Sequence, residues 1–183
     1  MEEYLDIVNI NGIPTGRTVA RSVAHAEGIR HRTSHVWILR RVGDKVQILL
    51  QMRCKTKDAY PGCFDISSAG HIPAGIDFKD SAIRELREEL GIDVSASDLI
   101  EVGYRNIDCN EVFHGKPFVD RQYSKIFVLW LDRDENDFTV QKEEIDFVKW
   151  FDFEECYANV ISNSFSHCIL TEELDIVSRA FTE

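Results

Sequence analysis

Residues Gly70 to Ile92 read GHIPAGIDFKDSAIRELREELGI. The stretch Arg84-Glu85-Leu86-Arg87-Glu88-Glu89-Leu90-Gly91 inside it decides the reading of the whole chain. Residues three and four apart are neighbours on a helix, so Glu85, Glu88 and Glu89 crowd one face. Ile83, Leu86 and Leu90 fall on nearly the opposite side at roughly 100° of rotation per residue. Like charges at that spacing destabilise a bare helix. A hard divalent cation would relieve the repulsion, because Mg²⁺ takes oxygen ligands from one or two carboxylates and from substrate phosphates. Acidic helix faces are also common on solvated surfaces, and Arg84 has an i, i+4 partner in Glu88. The flanking sequence therefore has to decide between the two readings.

Working outward, Asp77 reads as the N-cap of this helix and Asp80 follows in the manner of a capping box. Gly91 reads as its C-terminal stop. Residues 4–9 and 34–41 look like strands, as do 45–53, 64–69, 99–107, 123–131 and 147–151. Asn11-Gly12 signals a hairpin turn. Residues 17–27 read as a short helix closed by Gly28. Gly43-Asp44 joins two strands, and Pro61-Gly62 marks a turn. Asp152 is placed to cap a short helix, and 171–181 is amphipathic. Strands on both sides of a central helix, with another helix late, predict an α/β fold with a mixed sheet covered on both faces.

Composition narrows the class. A chain of 183 residues with 44% apolar residues supports one ordinary domain. No apolar run is long enough to cross a bilayer. The acidic N-terminus lacks the basic region of a secretory signal. A net charge of −11 opposes binding to a nucleic-acid polymer. Small phosphorylated ligands stay open, since a metal can supply positive charge. Five scattered cysteines, without a CxxC, fit neither a disulfide framework nor a zinc finger.

Gly70-x5-Ile76-x7-Arg84-Glu85-Leu86-x-Glu88-Glu89-x-Gly91-Ile92 resembles the Nudix box, G-x5-E-x7-R-E-U-x-E-E-x-G-U with U aliphatic. Ile76 is the one departure, standing where the family has Glu. The stretches His31-Arg32-Thr33-Ser34-His35-Val36-Trp37 and Phe64 to His71 are similar to the Nudix branch related to type I isopentenyl diphosphate isomerase. Glu144-Ile145, with Val148 and Trp150, looks like the late loop and strand of many Nudix hydrolases. The similarity spans about residues 4–155. It implies a Nudix-like α/β/α sandwich over residues 31–183, preceded by a hairpin-and-helix extension over residues 1–30.

By this resemblance, Glu85, Glu88 and Glu89 would bind Mg²⁺ or Mn²⁺. Glu88, Glu144 and Arg84 would form the catalytic group. Arg84 would position a glutamate of its own helix, and Glu144 would be a fourth ligand or general base unless it is simply an exposed acid. Gly70 and Gly75 would let the loop pass close to metal and helix. Arg53, followed by Lys55 and Lys57, is placed to hold phosphate. Trp37, Tyr60 and Phe64 would either stack on a base or pack. An aliphatic Ile76 cannot ligate, so the usual Glu is read as a loop-fixing group whose return would raise turnover or metal affinity.

The implied activity is metal-dependent hydrolysis of a pyrophosphate bond in a nucleoside diphosphate derivative or a related organic diphosphate. Isomerisation of isopentenyl diphosphate is the alternative. That branch's catalytic cysteine and glutamate fall at Ala69 and Gln122, which cannot take over either role. His25, His31 and His71 lie roughly where that branch has metal ligands, and a packed neutral histidine is the ordinary reading of each. A non-catalytic diphosphate sensor is a third reading. The implied partner is a small-molecule diphosphate in a cytoplasmic setting, with no membrane, and the N-terminal extension leaves a homodimer open.

Overall fold

The computed structural model describes residues 2–57, 59–113 and 115–181. The chain opens with an antiparallel pair, β1 (Tyr4–Val8) and β2 (Pro14–Ala20). Gly12 turns between them at φ 72°, and Asn9 Oδ1 accepts from the backbone N–H groups of Asn11 and Ile13. The helix expected over 17–27 begins later, as α1 (Arg21–Glu27). Thr18 and Val19 are β-branched and pair with Asp6 and Leu5 across the hairpin, which holds them extended. Gly28 closes α1 at φ 65° and donates to Ala24 O.

The main sheet holds β3 (His31–Val42), β4 (Lys45–Arg53), β5 (Phe64–Asp65), β6 (Ser68–His71), β7 (Leu99–Phe113), β8 (Lys116–Trp130) and β9 (Ile145–Asp152). Its spatial order is β5-β4-β3-β8-β7, with β6 also on β3 and β9 also on β4. Among the described strand pairs, β3 and β8 run parallel, from His31↔Gln122 to Leu39↔Trp130, and the others antiparallel, so the sheet is mixed as expected.

Two strand expectations need correction. The single strand over 64–69 is split into β5 on β4 and β6 on β3. The reason is that β3 and β4 pair only between Leu39↔Ile48 and Val42↔Lys45, then diverge. Ser67 bridges the gap by donating to Leu49 O at 2.6 Å and accepting from Ile38 N at 2.8 Å. The strands expected over 99–107 and 123–131 are a much longer hairpin. Its outer part pairs residue for residue, as in Asp108↔Arg121 and Cys109↔Asp120, and Gly115 turns at φ 73°.

Helices cover both faces. On one side α2 (Phe78–Leu90) packs Ala82, Leu86 and Leu90 against Val36, Ile38 and Leu49. On the other, α3 (Phe153–Ser162) and α4 (Thr171–Ser178) pack Phe153, Val160, Leu174 and Val177 against Trp37, Leu39 and Ile48. Adjacent residues of β3 thus feed opposite cores, as a pleated strand requires. Asp77 caps α2 by accepting from Lys79 N at 3.0 Å, and Gly91 ends it at φ 65°. Asp152 stands at the N-cap of α3 without a side-chain capping bond, and its carboxylate pairs with Lys45 Nζ at 2.8 Å. All five cysteines are free thiols. Among the described residues, no helix is long and apolar enough to cross a membrane.

Candidate active site

The apolar stripe of α2 faces its core, which turns the acidic stripe toward a cleft of about 840 Å³. Glu85, Glu88 and Glu89 all line that cleft, together with Gly70, Arg84 and Glu144. Glu89 is only 8% exposed, and Ser68 Oγ donates to its Oε2 at 2.7 Å. Burial pushes the Glu89 carboxyl up to about 8, with the Glu85 charge adding to a rise that the Ser68 bond opposes. Burial likewise raises Glu85 to about 7, against the pull of Arg84. Glu88 is the exposed member of the three. Glu85 and Glu89 are raised by burial and by neighbouring negative charge, a cost that a bound cation would relieve. An all-oxygen donor set beside open cleft volume suits Mg²⁺ or Mn²⁺, so the residues present fit the divalent ion that the family implies.

Arg84 NH2 donates to Glu85 Oε1 at 2.6 Å and so holds a glutamate of its own helix. Gly70 lies against that same glutamate: a β-carbon built there would overlap Glu85 Cδ, Cγ and Oε1. Gly75 has φ 78°, which only glycine adopts without strain. Glu144 reaches the cleft and pairs with Lys57 Nζ, while its carbonyl accepts from Cys54 N. Arg53 is on the cleft wall, but its guanidinium is engaged. Its Nε and NH2 donate to Ala59 O at 3.1 and 2.9 Å, and NH1 donates to Asp65 Oδ2 at 2.9 Å. Trp37 is fully buried and Phe64 packs among Phe147, Phe151 and Phe165, so neither is placed to stack on a base. Tyr60 lines the cleft.

Ile76 is 43% exposed and points no polar group at the acids. Its loop is fixed by other means. Asp6 Oδ2 accepts from Arg32 NH2 at 2.7 Å and from Gly75 N at 2.9 Å, and Arg32 NH2 also donates to Ile76 O at 3.1 Å. An ion pair from the N-terminal hairpin and β3 thus ties down the segment where the family's usual Glu would stand. Asp6 carried no motif signal, and Arg32, though inside the stretch similar to the isomerase branch, gave no sign of this contact, because it depends on β1 folding over the loop.

The three histidines converge. His25 Nε2 and His71 Nε2 are 3.1 Å apart, and the candidate ligand atoms of His25, His31 and His71 all lie within 4.8 Å of one another. His31 Nδ1 bonds to Ile29 O at 2.9 Å, which leaves Nε2 facing inward. Asp120 Oδ1 approaches His25 Nδ1 at 3.4 Å and His31 Nε2 at 3.6 Å. Those three atoms are buried and have no hydrogen-bond partner among the described residues. Burial lowers the pKa of His31, and that of His71 well below the ordinary value, which favours neutral imidazole.

A second polar group on the cleft was not read from the sequence. His35 Nδ1 and Glu173 Oε1 are 2.9 Å apart, and Trp37 Nε1 donates to Glu173 Oε2 at 3.1 Å. The alternation His31-x-Thr33-x-His35-x-Trp37 could have shown that these side chains share one face of a strand. Nothing local pointed to Glu173.

Comparisons with known proteins agree with this geometry. A NUDIX domain model matches residues 30–167. The chain is 37% identical over 144 residues to an uncharacterised Nudix hydrolase of Clostridium acetobutylicum, covering 79% of this chain and 67% of that one. It is 37% identical over 163 residues to Nudix hydrolase 3 of Arabidopsis thaliana, covering 88% of this chain but spanning only 20% of the plant protein. An isopentenyl-diphosphate Delta-isomerase of Escherichia coli is 32% identical over 113 residues, 60% of each chain. Among solved structures, a Deinococcus radiodurans protein superposes with a TM-score of 0.69 at 18% identity, covering 98% of this chain and 99% of that one. With the acidic helix, its glycine loop and the mixed sheet in their expected places, the chain belongs to the Nudix hydrolase family, whose members cleave pyrophosphate bonds in nucleoside diphosphate derivatives.

Proposed function

We propose that this chain hydrolyses a pyrophosphate bond in a nucleoside diphosphate derivative or related organic diphosphate, with Mg²⁺ or Mn²⁺ held by Glu85, Glu88 and Glu89. The observation that carries the reading is the burial of Glu89 beside Glu85 on the wall of a roomy cleft. A bound divalent ion would supply Lewis-acid polarisation of phosphate oxygens and an acidified water. Ser68 and Arg84 orient Glu89 and Glu85. Glu144 lies on a different loop of the same cleft, where a carboxylate accepts a proton from water within hydrogen-bond reach. Lys57 pairs with Glu144 and is a second source of positive charge for phosphate on the cleft wall, beside Arg53, whose guanidinium is engaged by Ala59 O and Asp65.

The isomerase alternative finds no acid or base at the positions it needs. Ala69 carries none, and Gln122 is tied up with Thr33 Oγ1 at 3.1 Å and Asp120 Oδ2 at 2.5 Å. Incubation with Mg²⁺ and a panel of nucleoside diphosphate derivatives and isoprenoid diphosphates tests the reading. Phosphate or nucleotide release that disappears in Glu88→Gln supports hydrolysis. Allylic isomer formation without release would establish the isomerase instead, and binding without either would establish a sensor.

The three inward-facing histidines favour a second metal centre, because buried His25 Nδ1, His31 Nε2 and Asp120 Oδ1 are otherwise unpaired. Neutral imidazoles are the form that ligates. Zn²⁺ or Mn²⁺ uptake measured in the Glu88→Gln variant, and abolished by His31→Ala, tests this centre apart from the acidic one.

A further inference from the structure

We propose that His35 is a specificity-determining residue: its Nε2–H, aimed into the cleft by Glu173, donates to an oxygen on the organic group of the substrate, as on a nucleoside. The inference deepens the hydrolase reading and rests on it for the location of the phosphates.

Glu173 is buried at the start of α4 and is held from three directions. His35 Nδ1 lies 2.9 Å from Oε1, Trp37 Nε1 donates to Oε2 at 3.1 Å, and Arg105 NH1 reaches Oε1 at 3.5 Å. A carboxylate at Nδ1 fixes that nitrogen as a donor and sets the ring's orientation. Nε2 is then the end of the ring that is left for something else.

Among the described residues, Nε2 has only a long 3.5 Å hydrogen bond with Thr33 Oγ1. That hydroxyl is already engaged, donating to Gln122 Oε1 at 3.1 Å and meeting Ser124 Oγ at 2.6 Å. His35 nevertheless lines the cleft, as do Thr33, Gln122 and Glu173. Ala69 pairs with His35 across β3 and β6 and also lines the cleft, so the neighbour on that strand is a small one, although His35 is only 9% exposed.

Burial disfavours a charged imidazole here, but the Glu173 charge and hydrogen bond outweigh it and raise the His35 pKa. The Glu173 carboxylate 2.9 Å from Nδ1 favours the doubly protonated ring, the form in which Nε2 has a proton to donate. A hydrocarbon chain seated against such a donor would leave it without a partner, which costs binding; a hydroxyl or carbonyl oxygen satisfies it.

Two substitutions separate this role from a structural one. In His35→Asn the amide stands near the position of Nδ1, keeps a partner for Glu173 and removes the cleft-facing donor. In His35→Gln the amide reaches toward the position of Nε2. Calorimetry with Mg²⁺ compares the α,β-methylene analogues of ADP, CDP, GDP and UDP with methylenediphosphonate, which carries the phosphates' charge and no organic group. The expected result is at least one nucleotide analogue bound roughly tenfold or more tighter than the bare diphosphonate. His35→Asn removes most of that advantage, His35→Gln restores it, and neither changes the diphosphonate affinity.

Equal affinities for all probes, an advantage that survives His35→Asn, or equal losses in both variants would overturn the proposal. Should His35→Asn fail to fold, Ala69→Leu adds bulk on the cleft wall at the residue paired with His35 and is expected to cause the same loss, so an unchanged advantage there is equally fatal. Failure of the hydrolase reading shows separately, as an absence of pyrophosphate cleavage whatever these binding constants are.

Discussion

Gly70 packs its bare α-carbon against the side chain of Glu85, where a β-carbon has no room. The obstacle is the far end of a flexible glutamate rather than backbone, and Gly70 does not need a left-handed conformation. Gly70→Ala should therefore push the Glu85 carboxylate off its position while leaving the fold standing. We expect turnover to fall by about two orders of magnitude, the scale at which losing one placed electrostatic group is felt. The melting temperature should move by only a few degrees, since a flexible side chain can yield. A large loss of stability with full specific activity in the folded fraction would refute this role for the glycine.

The Asp6–Arg32 pair takes over the anchoring of the 73–76 loop. Both side chains are largely buried, so removing one partner strands the other. Asp6→Ala is expected to cost about 3 kcal/mol in denaturant unfolding and to lower metal affinity. Ile76→Glu should raise turnover or metal affinity by no more than a few fold, because the loop is already held. A large gain would show that position 76 acts at the site itself.

The raised carboxyls give the metal-free protein a distinctive pH dependence. Glu85 titrates at about 7 and Glu89 at about 8 in the fold, against about 4.3 for an unfolded glutamate. Between those values the folded chain keeps protons that the unfolded chain has released. These two groups therefore make stability in chelator fall as pH rises from about 4.5 to about 8. A divalent ion needs both carboxylates ionised, so its affinity should climb over the same window and its binding should release protons. Thermal melts with and without Mg²⁺ across that range check the sign. A gap between the two curves that narrows with rising pH would contradict it.

Leu86 is fully buried on the core side of α2, directly between the two acidic positions Glu85 and Glu88 in sequence. Leu86→Ala should cost roughly 2–5 kcal/mol of unfolding free energy through lost burial and a residual cavity. Turnover of the remaining folded protein should drop far less than in Glu88→Gln. Equal activity losses in the two variants would show that the leucine positions the acids and does not merely hold the helix down.

Helix α2 was legible to the residue because every signal there is local: an Asp77 cap, an apolar stripe at helical spacing and a left-handed Gly91. The family motif is written on that same element. The outer half of the β7–β8 hairpin was not legible, since those strands pair with each other beyond the core and so carry no pattern of burial. The split at β5 and β6 depends on the divergence of β3 from β4, bridged by Ser67. Other site partnerships join residues far apart in the chain, such as His35 with Glu173 and Asp6 with Gly75. No window of sequence contains both members of those pairs.

Strand β3 sends His31, Thr33, His35 and Trp37 to one side and Arg32, Val36 and Ile38 to the other. A one-residue slip of the whole strand would exchange the two sets at a stroke. His31 would leave the histidine cluster and His35 would leave Glu173 together, with no partial failure in between. Changes of chain length must instead be absorbed at the following bend, where a side chain added at Gly43 meets nothing within 4 Å among the described residues.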